Sequence, residues 1–268
     1  MLRTCEAAYL TTGEIKKYLA RNDLALLTVG CTEMHGEHAP LSCDTIIDEA
    51  FTRLFTTRAQ AVCFPPVHYA FTGATSPFPG TVSIPLECAT DYLKNILRAL
   101  FRGGFRRVIV VGSHGPHGFF IPYVLRSLFE ETADAVAVHC SPSNYLEADD
   151  IKRIWRNDSY WLGENGLLLG AAKYLGLEKL IDPKRWSTKE NTGSPHPSLK
   201  KLRRAKLHVP YHFSEPNQHL APLSGLDYAR GYKMLELAVK RALPMVKDLA
   251  SWRDYVKKQR QAEKRKGY

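Results

Sequence analysis

Five side chains able to bind a metal cation, Glu33, His35, Glu37, His38 and Asp44, fall within twelve residues. Carboxylate oxygen and imidazole nitrogen together suit zinc, manganese or iron, and an acid-x-histidine step turns two ligands toward one point where a chain leaves a strand. The surrounding stretch reads Gly-Cys-Thr-Glu-Met-His-Gly-Glu-His-Ala-Pro-Leu-Ser-Cys-Asp-Thr, with an apolar run before it and an amphipathic run after it. Asp44 stands where a helix N-cap is expected, so one carboxylate oxygen could cap while the other binds metal. Short ligand patterns also occur by chance, and a polar loop of solvated acids and histidines is the competing reading. Cys31 and Cys43 flank the stretch and read as packing residues.

What decides between these readings is the set of elements around the stretch. Leu24–Val29 is apolar except for Thr28, as a strand covered on both faces requires. Ile47, Ala50, Phe51, Leu54 and Phe55 then recur at helical spacing. Upstream, Thr11 and Glu14 stand at capping-box spacing and open a helix over 11–22. Residues 61–64 read as a short strand, 68–84 as a long Gly/Pro/Ser/Thr-rich loop, and 89–102 as a helix closed by Gly103 and Gly104. Arg107–Val111 is a third buried strand. This alternation predicts an α/β fold, a three-layer α/β/α sandwich around a mostly parallel sheet. In such sheets ligands gather beyond the carboxyl ends of the strands. Leu24–Val29 runs into Glu33 and His35, and Arg107–Val111 runs into Ser113, His114 and His117, so both sets are expected at one sheet edge. That convergence favours the metal reading.

Composition sets the outer bounds. The chain has 268 residues, 44% hydrophobic and 24% charged, which fits one globular domain with a sizeable core. The N-terminus lacks the apolar segment of a signal peptide, and no stretch approaches a membrane span, so the expected location is the cytoplasm. Six cysteines without a Cys-x-x-Cys pair read as reduced thiols. The formal charge of +10 is accounted for by two segments, 199–207 and 257–268. Charge so confined suggests a solvated surface, and without interleaved aromatics nucleic-acid binding is not expected. The expected organisation is therefore one domain over 1–250 with a basic C-terminal tail over 251–268.

With these residues in view, Thr-Glu-Met-His-Gly-Glu-His-Ala-Pro-Leu followed by Asp44-Thr45 resembles the first motif of the creatininase (creatinine amidohydrolase) family. Phe78-Pro79-Gly80-Thr81 is similar to the family's second landmark, and Val111-Gly112-Ser113-His114-Gly115 to its third. The stretch from Gly225 to Gly231 is similar to its C-terminal glycine turn. The resemblance implies a metal-dependent hydrolase that opens an amide or related bond in a small polar, cyclic substrate, commonly hexameric, with one or two divalent ions (Zn, Mn or Fe) per chain. It implies Glu33, Asp44 and His114 on one ion and His35 on a second, with Asp44 shared. A carboxylate bridge of this kind lets a water become nucleophilic near neutral pH.

The departures carry information too. Pro116 stands where creatininase itself has a second-metal glutamate. Trp161-Leu162-Gly163-Glu164 stands where the family has His-Ala-Gly-Glu, so Glu164 is retained as a candidate ligand and the proton-transferring histidine is replaced by Trp161. General acid assistance then falls to Glu37, His117 or Tyr160. His38, Trp161, Gly80 and Thr81 are the candidate substrate contacts, and Trp155, Tyr160 and Trp161 could line a pocket or simply pack. His208, His212 and His219 fit no zinc module and read as a loop near the site or at an interface. The expected activity is hydrolysis of a C–N bond in a small-molecule substrate by a homo-oligomer. Two alternatives stand beside it: hydrolytic opening of an oxidised cyclitol, or a catalytically degenerate binding or assembly subunit of the same fold.

Overall fold

Thr11 and Glu14 close the expected capping box, side chain to backbone in both directions, and start α1 (Thr12–Leu19). The computed structural model describes residues 2–37, 39–156, 162–181, 195–207, 209–219 and 226–266. Beyond α1 the chain alternates through β1 (Leu24–Val29), α2 (Cys43–Ala59), β2 (Val62–Val67), α3 (Leu86–Arg102), β3 (Arg107–Val111), α4 (His117–Glu131) and β4 (Val136–Cys140). It continues as α5 (Ala148–Trp155), α6 (Leu162–Leu175), α7 (Pro197–Arg204), α8 (Tyr228–Ala242) and α9 (Met245–Lys266).

The described strands form one sheet in the order β2-β1-β3-β4, every neighbouring pair parallel. Successive side chains of a strand face opposite sides. Accordingly Leu24, Leu26, Ile109 and Val111 enter a core with α2, α6, α8 and α9, whereas Ala25, Leu27, Val108 and Val110 enter a second core with α1, α3 and α4. Two helical layers thus cover both faces of the sheet, giving the expected α/β/α sandwich. The register pairs Leu24 with Arg107 and Thr28 with Val111, so β1 and β3 end level with each other. The loops that follow them open at the same edge.

Several boundaries differ from expectation for identifiable reasons. β4 was not anticipated, being short and only partly apolar on one face. β2 extends through Pro65 and Pro66, which an edge strand tolerates because one side of its backbone needs no ladder donors. The stretch 226–246 has the length of one long helix with a kink point at Pro244, and the chain divides there, at Leu243-Pro244, into α8 and α9, the ring nitrogen having no hydrogen to donate. The polar segment 186–205, loop-like in composition, contains α7, begun by Pro197 at its first turn and by the His196 ring accepting from the Ser198 N–H.

The boundary expected at 250 falls inside α9, which runs through it unbroken and carries Val256, fully buried, into the core of α2, α6 and α8. Basic residues of α9 are anchored rather than free. Arg253 donates to the Asp134 carbonyl and pairs with its carboxylate at 3.1 Å, and Arg260 donates to the Phe129 carbonyl and lies 5.0 Å from that ring's centre. No described helix is long and apolar enough to cross a membrane.

The small residues Gly166, Gly170, Ala171 and Ala172 leave one face of α6 open to close packing. Their partner is α8 of the same chain. A Cβ built on Gly170 would lie 2.2 Å from the Gly231 carbonyl oxygen, and one on Gly231 would lie 2.4 Å from the Gly166 oxygen. The two backbones touch, and α6 is thereby held with its first turn over the sheet edge.

Candidate metal centre

The end of β1 is pinned to the start of α2 before any ligand appears. Gly30 donates to the Val67 carbonyl, and a Cβ there would lie 2.0 Å from the Thr45 hydroxyl oxygen, closer than any side chain can come. That hydroxyl donates to the Cys31 carbonyl at 2.9 Å and accepts from the Cys31 N–H at 3.1 Å. Asp44 consequently sits in the first turn of α2, with Ser42 rather than Asp44 at the N-cap, because the turn closed by Cys43 N–H to the Pro40 carbonyl starts the helix earlier. Its carboxylate is free for the sheet edge, at the helix end that favours negative charge.

Glu33, His35, Asp44 and His114 converge there, none more than 5% exposed. His114 Nδ1 lies 2.9 Å from Glu33 Oε1 and 3.2 Å from Asp44 Oδ2. His35 Nε2 lies 3.6 Å from the same Asp44 oxygen, 4.0 Å from Glu33 Oε1 and 3.4 Å from Glu164 Oε1, which the first turn of α6 supplies. One Asp44 oxygen therefore lies between the two imidazoles.

The remaining ring nitrogens decide what this cluster can hold. His35 Nδ1 meets the Glu33 carbonyl at 3.1 Å, and His114 Nε2 meets the Phe71 carbonyl at 3.1 Å. A carbonyl only accepts, so each of these nitrogens carries the hydrogen. The opposite nitrogen of each neutral ring is then a lone pair aimed at carboxylates, acceptor against acceptor. Such an arrangement is favourable only with a cation in it, either protons on the imidazoles or a metal ion. Without metal the protons take that place: burial alone would lower the His114 pKa, but the hydrogen bonds it donates to Asp44 and Glu33 outweigh it and push it up to about 10. The described ligand groups able to surround an ion are Cys31, Glu33, Asp44 and His114, then Glu33, His35 and His219, then His35, Cys43 and Glu164, atoms within 4.8 Å of one another in each. The buried O/N donor set thus fits divalent zinc, manganese or iron.

Further groups hold the ligands in place. The Thr75 hydroxyl donates to Glu33 Oε2, leaving Oε1 to face the histidines, and the Cys31 thiol donates to Asp44 Oδ2 at 3.1 Å. Asp48, one turn beyond Asp44 on α2 and fully buried, accepts the Ser113 N–H at 2.8 Å and so ties the His114 loop to the helix that carries Asp44. Burial, reinforced by the nearby Asp44 charge, raises its pKa well above the usual carboxylate range. Such outer partners commonly change metal affinity by about 10–100-fold when removed.

A cavity of about 500 Å³ opens over the cluster, lined by Glu33, His35, Asp44, His114, Glu164 and His219 on one side. The other expected site residues fall differently. Glu37 is exposed and does not line this cavity. His117, expected as a proton donor, is fully buried at the start of α4 behind His114, its ring edge-on to that of His114 at 4.9 Å, and it does not line the cavity. Burial, then the His114 charge, pulls its pKa well below the usual histidine value. Gly80 and Thr81 also lie off the cavity, and they brace the ligand loop instead: Thr81 Oγ1 accepts the Met34 N–H at 2.9 Å. His38, Tyr160, Trp161 and His208 lie outside the described residues. Trp155 packs in the core with its Nε1–H toward Met234 Sδ at 2.7 Å.

His219 is the residue that spacing alone did not assign. It arrives from a turn near the C-terminal third, stacks on His35 at 4.7 Å between ring centres, and brings Nε2 within 4.0 Å of Glu33 Oε1. Its Nδ1 has no hydrogen-bond partner among the described residues.

The family profile of creatininase (creatinine amidohydrolase) matches residues 8–171. Among curated proteins, creatinine amidohydrolase of Pseudomonas putida is 30% identical over 118 residues, 42% of this chain and 45% of that protein. A 3-dehydro-scyllo-inosose hydrolase of Thermotoga maritima is 29% identical over 43% and 37% of the two chains, and a mycofactocin precursor peptide peptidase of Mycolicibacterium smegmatis is 34% identical over 44% and 50%. The chain spans about two fifths to one half of the length of these relatives. Among solved structures, a manganese creatininase superposes with a TM-score of 0.72 at 21% identity, covering 92% of this chain and 98% of that one. A zinc–zinc form of a creatininase mutant gives 0.70 at 21%, with the same coverage. These structural likenesses establish the fold.

Proposed function

The chain belongs to the creatininase family, and from that premise we propose that it is a metal-dependent hydrolase opening an amide or related bond in a small polar substrate. The observation that carries this reading is the opposition of two imidazole lone pairs to buried carboxylates, described above, which a pair of divalent cations would satisfy. Glu33, Asp44 and His114 would hold one ion, and His35, Glu164 and Asp44 the other. When bound, such ions polarise the scissile carbonyl and make a water nucleophilic near neutral pH.

The chain's own residues do the rest. Thr75 fixes the rotamer of Glu33, and the carbonyls of Glu33 and Phe71 fix the tautomers of His35 and His114. Leu146, Ile151 and Leu167 supply apolar wall to the cavity and exclude water from part of it. Neither Glu37 nor His117 borders this space. His219 does, with a ring nitrogen not engaged by a carbonyl among the described residues, and we assign it the proton transfer to the leaving group that Trp161 cannot perform.

The relatives named above act on a cyclic amide, an oxidised cyclitol and a peptide precursor, which is the range to screen. Lactams, formamides, oxidised cyclitols and short peptides are offered to protein reconstituted with zinc or manganese. Turnover of at least one class, abolished by chelator and restored by metal, is the expected result. His219→Ala is expected to lower kcat by roughly 10²–10⁴-fold, the usual range for a general acid or base, with metal content measured beside it to separate proton transfer from a ligand role. Bound metal without turnover of any class would instead favour the degenerate binding subunit.

A further inference from the structure

The cavity lining has two parts of different origin. Of the groups around the metal centre, Glu33, His35, Asp44, His114 and Glu164 lie inside the stretch matched by the family profile, 8–171, and His219 lies outside it. A second part of the lining, Pro195, Arg203, Tyr211, Phe213 and Gln218, lies wholly outside that stretch. Groups that bind what is particular to this chain's substrate are therefore to be sought in the second part, since the shared metal chemistry resides in the first.

Arg203 is the Lys or Arg side chain that lines this cavity among the described residues. It projects from α7, a helix whose last turn also carries Lys201 and Arg204. Its guanidinium lies 5.6 Å from the centre of the Tyr211 ring, with Nη1 donating to the Tyr211 hydroxyl at 3.3 Å. No carboxylate pairs with it among the described residues. Tyr211 in turn stands edge-on to Phe213, 5.1 Å from whose ring lies that of His219. The cation is thus placed by an aromatic series that leads back to the metal ligands.

From this placement we infer that Arg203 is a specificity-determining residue and that the substrate carries a carboxylate, bound by the guanidinium while the bond to be broken lies over Glu33 and Asp44. The inference rests on the hydrolase reading above and names its substrate class. A guanidinium offers a planar fork of donors that matches a carboxylate with two parallel hydrogen bonds. A doubly charged phosphate fits less well, because Glu33, Asp44 and Glu164 on the floor repel the second charge as well as the first. A cavity of about 500 Å³ accommodates a small organic acid rather than a protein chain.

The test compares acids with their uncharged counterparts by calorimetric titration on zinc- or manganese-loaded protein. The probes are 5-oxoproline and hydantoin-5-acetate, each beside its carboxamide. At least one acid is expected to bind about tenfold or more tighter than its carboxamide, as a charged hydrogen-bonded pair provides. In Arg203→Gln that ratio should fall close to one, and in Arg203→Lys it should be intermediate, both with wild-type metal content and thermal transition. An equal ratio in the wild type, a ratio undiminished in Arg203→Gln, or no binding of either acid up to about 10 mM would overturn the assignment. Metal content separates this failure from that of the hydrolase reading. Retained metal leaves the centre intact and removes only the carboxylate; absent metal removes both.

Discussion

Asp44→Asn is expected to strip the centre of both ions and to lower hydrolysis by roughly 10⁴-fold, since the Lewis acid and the activated water together supply several kcal/mol of the barrier reduction. The magnitude follows from where one atom lies. Asp44 Oδ2 is 3.2 Å from His114 Nδ1 and 3.6 Å from His35 Nε2, so both candidate ion positions draw on it. The amide keeps the volume and loses the charge, and three carboxylates facing two imidazoles become two. Fold should survive, because the backbone pinning at this edge runs through Thr45 and Gly30 rather than through the Asp44 side chain. Elemental analysis and turnover are read beside the thermal transition. Metal content equal to wild type in Asp44→Asn would show that the shared oxygen is not a ligand.

Gly231→Ala should be strongly destabilising although it adds a single methyl group. The added Cβ would lie 2.4 Å from the Gly166 carbonyl oxygen and 2.6 Å from the Gly170 nitrogen, both backbone atoms of α6 that cannot rotate away. The helices must separate, at a cost of about 3 kcal/mol or more, which for a chain this size lowers Tm by roughly 10 °C. Because α6 carries Glu164 at its first turn, the ion expected on His35 should weaken with it. Gly13→Ala is the matched control: the added Cβ would come no closer than 3.9 Å to Thr11 Oγ1, and it should leave Tm within a degree or two. Scanning calorimetry distinguishes the two, and a Gly231→Ala protein as stable as the control would refute the close crossing of α6 and α8.

How much of this was legible before the structure depends on how local each feature is. Glu33, His35 and Asp44 stand on either side of one strand-to-helix connection, and His114 follows another buried strand, so alternation and strand ends were enough to bring them together. The two sheet faces were readable for the same reason, since β1 and β3 are apolar on both. The metal-ligand potential of Cys31 and Cys43 was hidden, because a buried thiol reads as packing until its neighbours are known. His219 was hidden more deeply. Its turn has no helical or strand period, and only the closure of that turn over the sheet edge stacks it on His35.

Other differences share one cause, tertiary context overriding local composition. The basic stretch around α7 looks like a solvated loop, yet Pro197 and the His196 cap start a helix there, and Leu199 buries. The C-terminal charges look like a tail, yet Val256, Arg253 and Arg260 dock that helix on the core, on Asp134 and on Phe129. Asp48 could have been found at i+4 from Asp44 on the same helix face. What it binds, the Ser113 N–H, could not, because that contact spans two elements joined only by the sheet.

The measurement that bears most directly on the central claim is metal content per chain, by elemental analysis of protein purified without chelator, wild type beside Glu164→Gln. A dinuclear centre predicts about two divalent equivalents in the wild type, falling toward one in the variant as His35 loses the carboxylate 3.4 Å away. No bound metal in the wild type, even after reconstitution with zinc, manganese or iron, would contradict it and leave the buried histidines and carboxylates as a proton-bridged structural cluster.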